Sequence, residues 1–476
     1  MRRAAMIGGV ICLSTIGLMG QSSAPVSSRG TRATPTFEKD ILPIVENHCQ
    51  QCHRPGQIGP FSLLDYRSAR PWARSIKQAV LTRTMPPWYA DPGSVHFEND
   101  RSLKQAEIDT LVAWVDAGAP QGDPKDAPPT KVWPPDGWTL KPDATFEVPA
   151  YEVPATGTVE WLEATIPTGF TEDKWVETIE LLPGVPAVVH HTCVNFRPHT
   201  TDVKYGVWTW RDVERDADGV EVPRERPQRS DGQGAGNTQA AAQAPPTAGA
   251  EGGAVGVVDG TGFCYEPSYT MDNYKKHRAA RELPAGWDLN ISMHYTTNGT
   301  AVTDHSKIGM TFAAKAPDRR LIKRIASPNT DRSVFFIPPR ESNWSGPTVE
   351  ERFNVDAELV WLSPHMHLRG KEMAYTLIYP DGRELPVLKV SRYDYRWQTG
   401  YETSIQVPKG TILRVEARFN NSAANKLNPN PNRTVYWGQQ TWEEMQGGYY
   451  DFVIPMSTNP RNVVTRIRNG TPSPAP

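Results

Sequence analysis

Two thiols and an imidazole stand close together near the start of this chain. Cys49-Gln50-Gln51-Cys52-His53 has the spacing of the c-type haem attachment pattern. Cysteines one helical turn apart can each bond a vinyl group of the porphyrin, and the histidine that follows can reach the iron from one side. A thioredoxin-like redox pair would need a strand–helix–strand context that the flanking sequence lacks, and a zinc site would need a second ligand pair nearby. On the far side of the iron, Met85 in Thr84-Met85-Pro86-Pro87-Trp88 sits in a proline-fixed loop. A thioether opposite an imidazole raises the potential, which suits electron transfer. His96 is the alternative ligand, and a methionine that only fills the core is the plain reading.

A second group of possible ligands lies far downstream. His190 and His191 are adjacent at the end of an apolar run. Neighbouring strand residues face opposite ways, so both can reach one metal only where the backbone bends. His294 lies in the strand-like run Leu289-Asn290-Ile291-Ser292-Met293-His294-Tyr295. His365 and His367 are two apart, which on a strand puts them on one face. Met445 follows in Thr441-Trp442-Glu443-Glu444-Met445. Singly each is ordinary: a lone strand histidine is usually packed or exposed, and a lone methionine is usually core. His199, His277 and His305 have no partner pattern and read as surface or structural residues, and His48 reads as a helix end. Cys193 lies two residues after His191 and could be a ligand, but Cys193 and Cys264 are also the even pair left for a disulfide.

The elements that must position these groups change type along the chain. Residues 34–120 read as helical: Ser102-Leu103-Lys104-Gln105 opens with a capping-box pattern, Ile108, Leu111, Val112 and Val115 follow at helical spacing, and Gly118 stops the helix. Residues 121–140 form a stiff proline-rich linker. Beyond it strands prevail: Leu413, Val415, Ala417 and Phe419 alternate with Arg414, Glu416 and Arg418, and Tyr379-Pro380-Asp381-Gly382 is a turn. Residues 229–257, rich in Gly, Ala, Gln and Pro, cannot bury enough surface to order themselves and read as a flexible insertion.

Arg2 and Arg3 before a short apolar run, with small and polar residues through Ala24, read as a signal peptide over 1–24. No later run is long enough to span a membrane. A periplasmic or secreted protein is expected, with no membrane span in its mature form. A formal net charge of −2 gives no reason to expect nucleic acid as a partner.

Taken together and in order, the His190-His191 pair, His294-Tyr295, His365-Met366-His367 and Glu444-Met445 resemble the copper type II, ascorbate-dependent monooxygenases, the family of peptidylglycine and dopamine hydroxylase. The likeness spans about residues 145–460. Residues 34–120 resemble small cytochrome c domains in the haem motif, the Met85-Pro86-Pro87-Trp88 loop and the helix end Trp114-Val115-Asp116-Ala117-Gly118. These resemblances imply a multidomain chain: a small all-α cytochrome c-like domain over 34–120, then two all-β jelly-roll sandwich domains over 141–318 and 319–470, with a solvent cleft between the two.

The resemblance also implies cofactors and roles. His190, His191 and His294 correspond to a three-histidine copper that stores and passes an electron, and His365, His367 and Met445 to the copper where oxygen reacts. Imidazoles serve both copper oxidation states, and a thioether favours copper(I). Two copper ions and one covalently bound haem c are therefore expected. The reaction would hydroxylate a C–H bond of a small-molecule or peptide substrate with O2, and an external donor would reduce the haem. The alternative is a non-catalytic electron carrier or copper-binding protein on the same fold. A zinc enzyme on the same histidines is disfavoured by Met445. Ser363 and Gly447 stand where peptidylglycine hydroxylase has a substrate-binding arginine and an asparagine, whereas Tyr449, a possible substrate contact, is kept. Serine does not replace an arginine–carboxylate clamp, which argues against a glycine-extended peptide as substrate.

Overall fold

The hairpin at Tyr379 shows how the sheets are built. Gly382 N–H donates to the Tyr379 carbonyl at 2.9 Å, with Gly382 in the left-handed region at φ +83°. The turn joins strands Gly370–Ile378 and Glu384–Val390. Strand Ile412–Phe419 then buries Leu413, Val415, Ala417 and Phe419 and keeps Arg414, Glu416 and Arg418 on its wetter face, as its alternation predicts.

The structure is a computed structural model that describes residues 33–472 except 135, 158, 160, 202, 211–212, 216–220, 224–261 and 439–440. The expected signal peptide over 1–24 and the insertion over 229–257 lie outside the described residues. All elements below fall in the unit that begins at Pro35.

The fold is mostly β. A nine-stranded sheet runs in the order Ala144–Glu147, Lys307–Phe312, Lys174–Leu182, Ala279–Leu283, Arg319–Ala326, Gly447–Pro455, Ala357–His365 and Tyr401–Val407, with Met271–Asn273 on the side of Lys174–Leu182. A five-stranded sheet (Thr209–Trp210, Leu162–Pro167, Trp287–Tyr295, Val189–Pro198, Phe263–Tyr265) packs on its first half. Ile179 and Met310 meet Leu289, Ile291 and Val194 in that core. A six-stranded sheet built around Gly370–Ile378, Ile412–Phe419 and Pro347–Phe353 packs on the second half, where Leu359 and Phe452 meet Val349, Tyr375 and Val415. Each such side chain contributes about 1.5–3 kcal/mol on burial. The two sandwiches share one sheet, because Ala279–Leu283 pairs in parallel with Arg319–Ala326.

The α-helices gather ahead of Gly118: Leu42–His48, Tyr66–Ala69, Ala73–Leu81 and Gln105–Asp116 enclose a small core that includes Phe37, Val45, Leu111 and Trp114. The last of these helices starts later than expected. Ser102 N–H is taken by the Asp100 carboxylate at 2.7 Å, so the cap falls on Lys104, whose N–H donates to the Glu107 side chain at 2.7 Å. Gly118, at φ +87°, ends it as expected.

Between these helices, residues 86–100 leave the helical core and dock on the second sandwich. Trp88 and Phe97 enter its apolar core, with ring centroids 4.9 and 5.1 Å from Tyr401. Asp91 N–H donates to Lys389 O at 2.7 Å and Glu98 N–H to Glu402 O at 2.8 Å. The proline-rich linker is also fastened at both ends. Gln121 O accepts from Glu38 N–H at 3.0 Å, next to Pro120 O, which accepts from Phe37 N–H and Trp114 Nε1–H, and Trp138 is buried against Gly309, where a Cβ would come within 2.8 Å of its ring. Among the described residues no helix is long and apolar enough to cross a membrane.

Candidate metal centres

His190, His191 and His294 come together, their ligand atoms all within 4.8 Å of one another. The backbone does what a shared site demands. His294 lies directly opposite His191 in the antiparallel pair Val189–Pro198 and Trp287–Tyr295, while Tyr295 pairs with Val189. His190 is therefore the extra residue of a β-bulge, which turns its side chain toward the face that His191 already occupies. Their Nδ1 atoms are 2.9 Å apart. Burial holds His190 and His294 down to about 4, and drives His191 well below the ordinary histidine value, with His294, His190, His365 and His367 adding charge repulsion. All three are neutral at pH 7 and offer lone pairs. His294 Nδ1 is buried with no hydrogen-bond partner among the described residues, a position that a cation would satisfy. The donor set thus fits a metal that takes imidazole.

Trp161 walls this site: its ring stacks on His294 at 5.7 Å and lies 4.8 Å from His191, and its Nε1–H donates to Ser292 at 3.0 Å. The disulfide Cys193–Cys264 joins directly opposed residues of neighbouring strands two positions from His191. Cys193 is therefore spent as a bridge and is not a metal ligand.

The second group is assembled differently. His365 ends strand Ala357–His365, and its ring lies 5.3 Å from that of His367. Met445, buried, precedes strand Gly447–Pro455, whose first residue pairs with His365. Glu444 ties these pieces together. One of its carboxylate oxygens accepts from the N–H groups of His367 and Met445, and the other accepts from Arg369 N–H. The thioether's backbone and one imidazole's backbone thus hang on one buried carboxylate. Burial pushes Glu444 up to about 7, opposed by those N–H groups and the Arg369 charge. Tyr449 lies opposite Ser363, with its ring 5.7 Å from His365. Gly447 leaves room for this approach, since a Cβ there would sit 3.0 Å from the Tyr449 ring. Gln398 Oε1 accepts from His365 Nδ1, which leaves Nε2 as the lone pair of that imidazole.

The motif near the start of the chain forms one tight turn, with Cys52 N–H and His53 N–H both bonded to Cys49 O, at 3.1 and 2.9 Å. Both thiols are free, and burial pushes Cys49 up to about 12 and Cys52 upward. They lack the depressed acidity of a reactive redox pair. His53 Nδ1 faces Phe61 O at 3.2 Å, which leaves Nε2 as the free lone pair of a neutral imidazole. Arg54 Nε, Arg101 Nε and Trp133 Nε1 are buried donors without a hydrogen-bond partner among the described residues. The Arg54 guanidinium lies 4.1 Å over the Trp133 ring, and the charges of Arg54 and Arg101 both reach Cys52. Such a set fits a group that carries carboxylates. Met85 is half-buried at the head of the docked segment 86–100, and His96 is exposed within that segment.

His48 ends its helix as expected, with Nδ1 3.0 Å from Arg101 O and Nε2 3.2 Å from Glu107. His199 contacts Asp288 at 2.9 Å, His277 is buried 3.4 Å from Glu358, and His305 is exposed. Trp161, Tyr395, Gln398 and the clamping role of Glu444 escape the sequence reading. Only the position of Glu444 beside Met445 gave any signal, because the other contacts join residues far apart in the chain.

No protein-family model matches this sequence, and no curated protein matches it. Among solved structures, similarity extends to that of infectious bursal disease virus Gx strain, 10% identical over 70% of this chain and 77% of that one, with a TM-score of 0.17. The infectious bursal disease virus VP2 subviral particle is 11% identical over 70% of this chain and 78% of that one, with a TM-score of 0.16. Values this low establish neither a shared fold nor a shared function.

Proposed function

We propose that the protein is an exported copper-dependent monooxygenase that hydroxylates a substrate C–H bond with O2 and takes its electrons through a c-type haem on the same chain. The reading combines a cytochrome c-like N-terminal module with two jelly-roll-like copper domains. It is carried by the convergence of His190, His191 and His294 into one neutral three-imidazole cluster, with His191 buried and the other two half-buried. Copper would be held there and at His365, His367 and Met445, and haem by Cys49, Cys52 and His53 with Met85 opposite. Together these groups would supply the two electrons that, with O2 and two protons, turn C–H into C–OH and water.

The chain's own residues support a division of labour. Cys52 Sγ lies 3.9 Å from Pro267 O, and Tyr265, two residues earlier, pairs with Thr192 beside His191. This short path favours electron entry on the three-histidine side. Tyr449, packed against His365, would meet the substrate. Arg369 is fully buried and bonded to Asn421 at 2.9 Å and Trp442 O at 2.8 Å, so it does not stand in for the absent carboxylate clamp. The disulfide agrees with an oxidising compartment outside the cytoplasm.

Copper loading followed by reduction and oxygen-electrode measurements tests the reading. The full-length protein should bind two copper ions and consume O2 with a C–H substrate, and Met445→Ala should abolish that consumption while the three-histidine site keeps its copper. Two bound coppers without oxygen uptake across a broad substrate panel would instead support a non-catalytic electron carrier.

A further inference from the structure

One segment touches both histidine sites. The Tyr395 ring stacks on His190, 5.9 Å between centroids and 25° between planes. Three residues on, Gln398 accepts from His365 Nδ1 through Oε1, and its Nε2 donates to Tyr395 O at 3.4 Å. Tyr393, two residues before Tyr395, donates its hydroxyl to Met366 O at 2.6 Å and accepts from Met366 N–H at 3.0 Å. Met366 is the residue between His365 and His367, so the segment grips the second pair of histidines by backbone and by ring.

Both ends of the segment are fastened to the N-terminal part of the chain. Ser391 Oγ donates to Asp91 at 2.8 Å. At the other end, Asn99 donates to Gly400 O at 2.9 Å and accepts from Glu402 N–H at 3.0 Å. Trp88 and Phe97, buried close to these anchors in the chain, make residues 88–99 a packed rather than a loose partner.

We propose that residues 391–400 are a positioning bridge that fixes the two histidine sites relative to each other, and that the N-terminal residues Asp91 and Asn99 set its pose. The inference rests on the two-centre reading above and adds a role for Tyr393, Tyr395 and Gln398 that ligand spacing alone does not supply. It also makes the N-terminal module a structural part of the bimetallic region as well as an electron source. Ring stacking orients the His190 imidazole, and the Gln398 bond fixes the tautomer and direction of His365. A displacement at one site is thereby felt at the other.

The test is a cross-site measurement on the full-length haem protein, using copper(II) as the probe. In a His294→Ala background that disables the first site, Tyr395→Leu should weaken copper(II) at the second site by roughly 3- to 10-fold and alter its EPR hyperfine pattern. Tyr395→Phe, which keeps the stacking ring, should restore both, and the pair Asp91→Ala and Asn99→Ala should reproduce the Leu effect. Unchanged second-site affinity and spectrum in a folded Tyr395→Leu protein would overturn the bridge. Should that variant fail to fold, Gln398→Leu read at the first site in a His365→Ala background carries the same expectation and the same refutation. A wild-type chain that takes up no copper refutes the metal reading together with the bridge. Two bound coppers with no cross-site effect refute the bridge alone.

Discussion

The two histidine groups are assembled by different physical means. At the first, the sheet does the work: His191 and His294 face each other by register, and a single bulge adds His190. At the second, strand geometry sets only His365. His367 and Met445 are held through Glu444, and His365 is oriented by Gln398. The first site is built from backbone pairing, which many hydrogen bonds share. The second hangs on a few buried side chains, so its geometry is concentrated in residues whose loss the backbone cannot absorb.

That contrast is sharpest at Glu444. Glu444→Ala removes the acceptor for the N–H groups of His367, Arg369 and Met445 and leaves the Arg369 guanidinium buried without its carboxylate. A loss of about 3–5 kcal/mol in unfolding free energy is expected. Copper stoichiometry should fall from two to one, with the three-histidine site retained. Loss of the three-histidine copper in preference to the other would show that the second site does not hang on Glu444. Glu444→Gln keeps one acceptor oxygen and should fall in between.

The next effect belongs to the first site and runs with pH. His190 and His294 stay neutral down to about 4 in the folded protein, against about 6.5 in an unfolded chain. As pH falls below 6.5 the unfolded chain takes up protons first, so the contribution of each imidazole is complete above that pH and is lost on the way to about 4. Roughly 3 kcal/mol per independent imidazole is at stake, less for a pair this close. Denaturant unfolding of the metal-free protein at steps between pH 7.5 and 4.5 measures it. The wild type should lose stability steeply, and His294→Leu should lose less. Parallel pH profiles would show that the cluster is not the source.

How much of this was legible in the sequence follows the same divide. The three histidines that converge were visible by type and spacing, and so was the need for a bend at His190, because a period of two forbids adjacent strand residues from sharing a face. The alternation in Ile412–Phe419 and the stop at Gly118 were also local and readable. What stayed hidden depends on contacts between distant residues: Gln398 reaches His365 across 33 positions, and Glu444 reaches His367 across 77. No local pattern marks an acceptor for a backbone group that far away. Ser102 looked like a cap because its own side chain qualifies, but Asp100 claims its N–H and moves the helix start to Lys104. The docking of residues 86–100 on the second sandwich was hidden for the same reason, since it joins Trp88 and Phe97 to Tyr401, far along the chain.

The smallest expected effect probes how closely the second site is packed. Gly447 pairs with His365, and an added Cβ would sit 3.0 Å from the Tyr449 ring and 3.4 Å from His365 Cβ. Gly447 is not at a positive φ, so the substitution strains packing and not the backbone. The ring must give by a few tenths of an ångström, and it can do so only by moving relative to the imidazole. Gly447→Ala should therefore cost about 1–2 kcal/mol of stability, offset in part by the lower entropy of the unfolded chain. Its more telling mark should be on copper: an altered EPR signal at the second site with the three-histidine signal unchanged. A change confined to the three-histidine signal would mean that Tyr449 does not bear on His365, and that the second site is less dependent on its side-chain neighbours than the contrast between the sites requires.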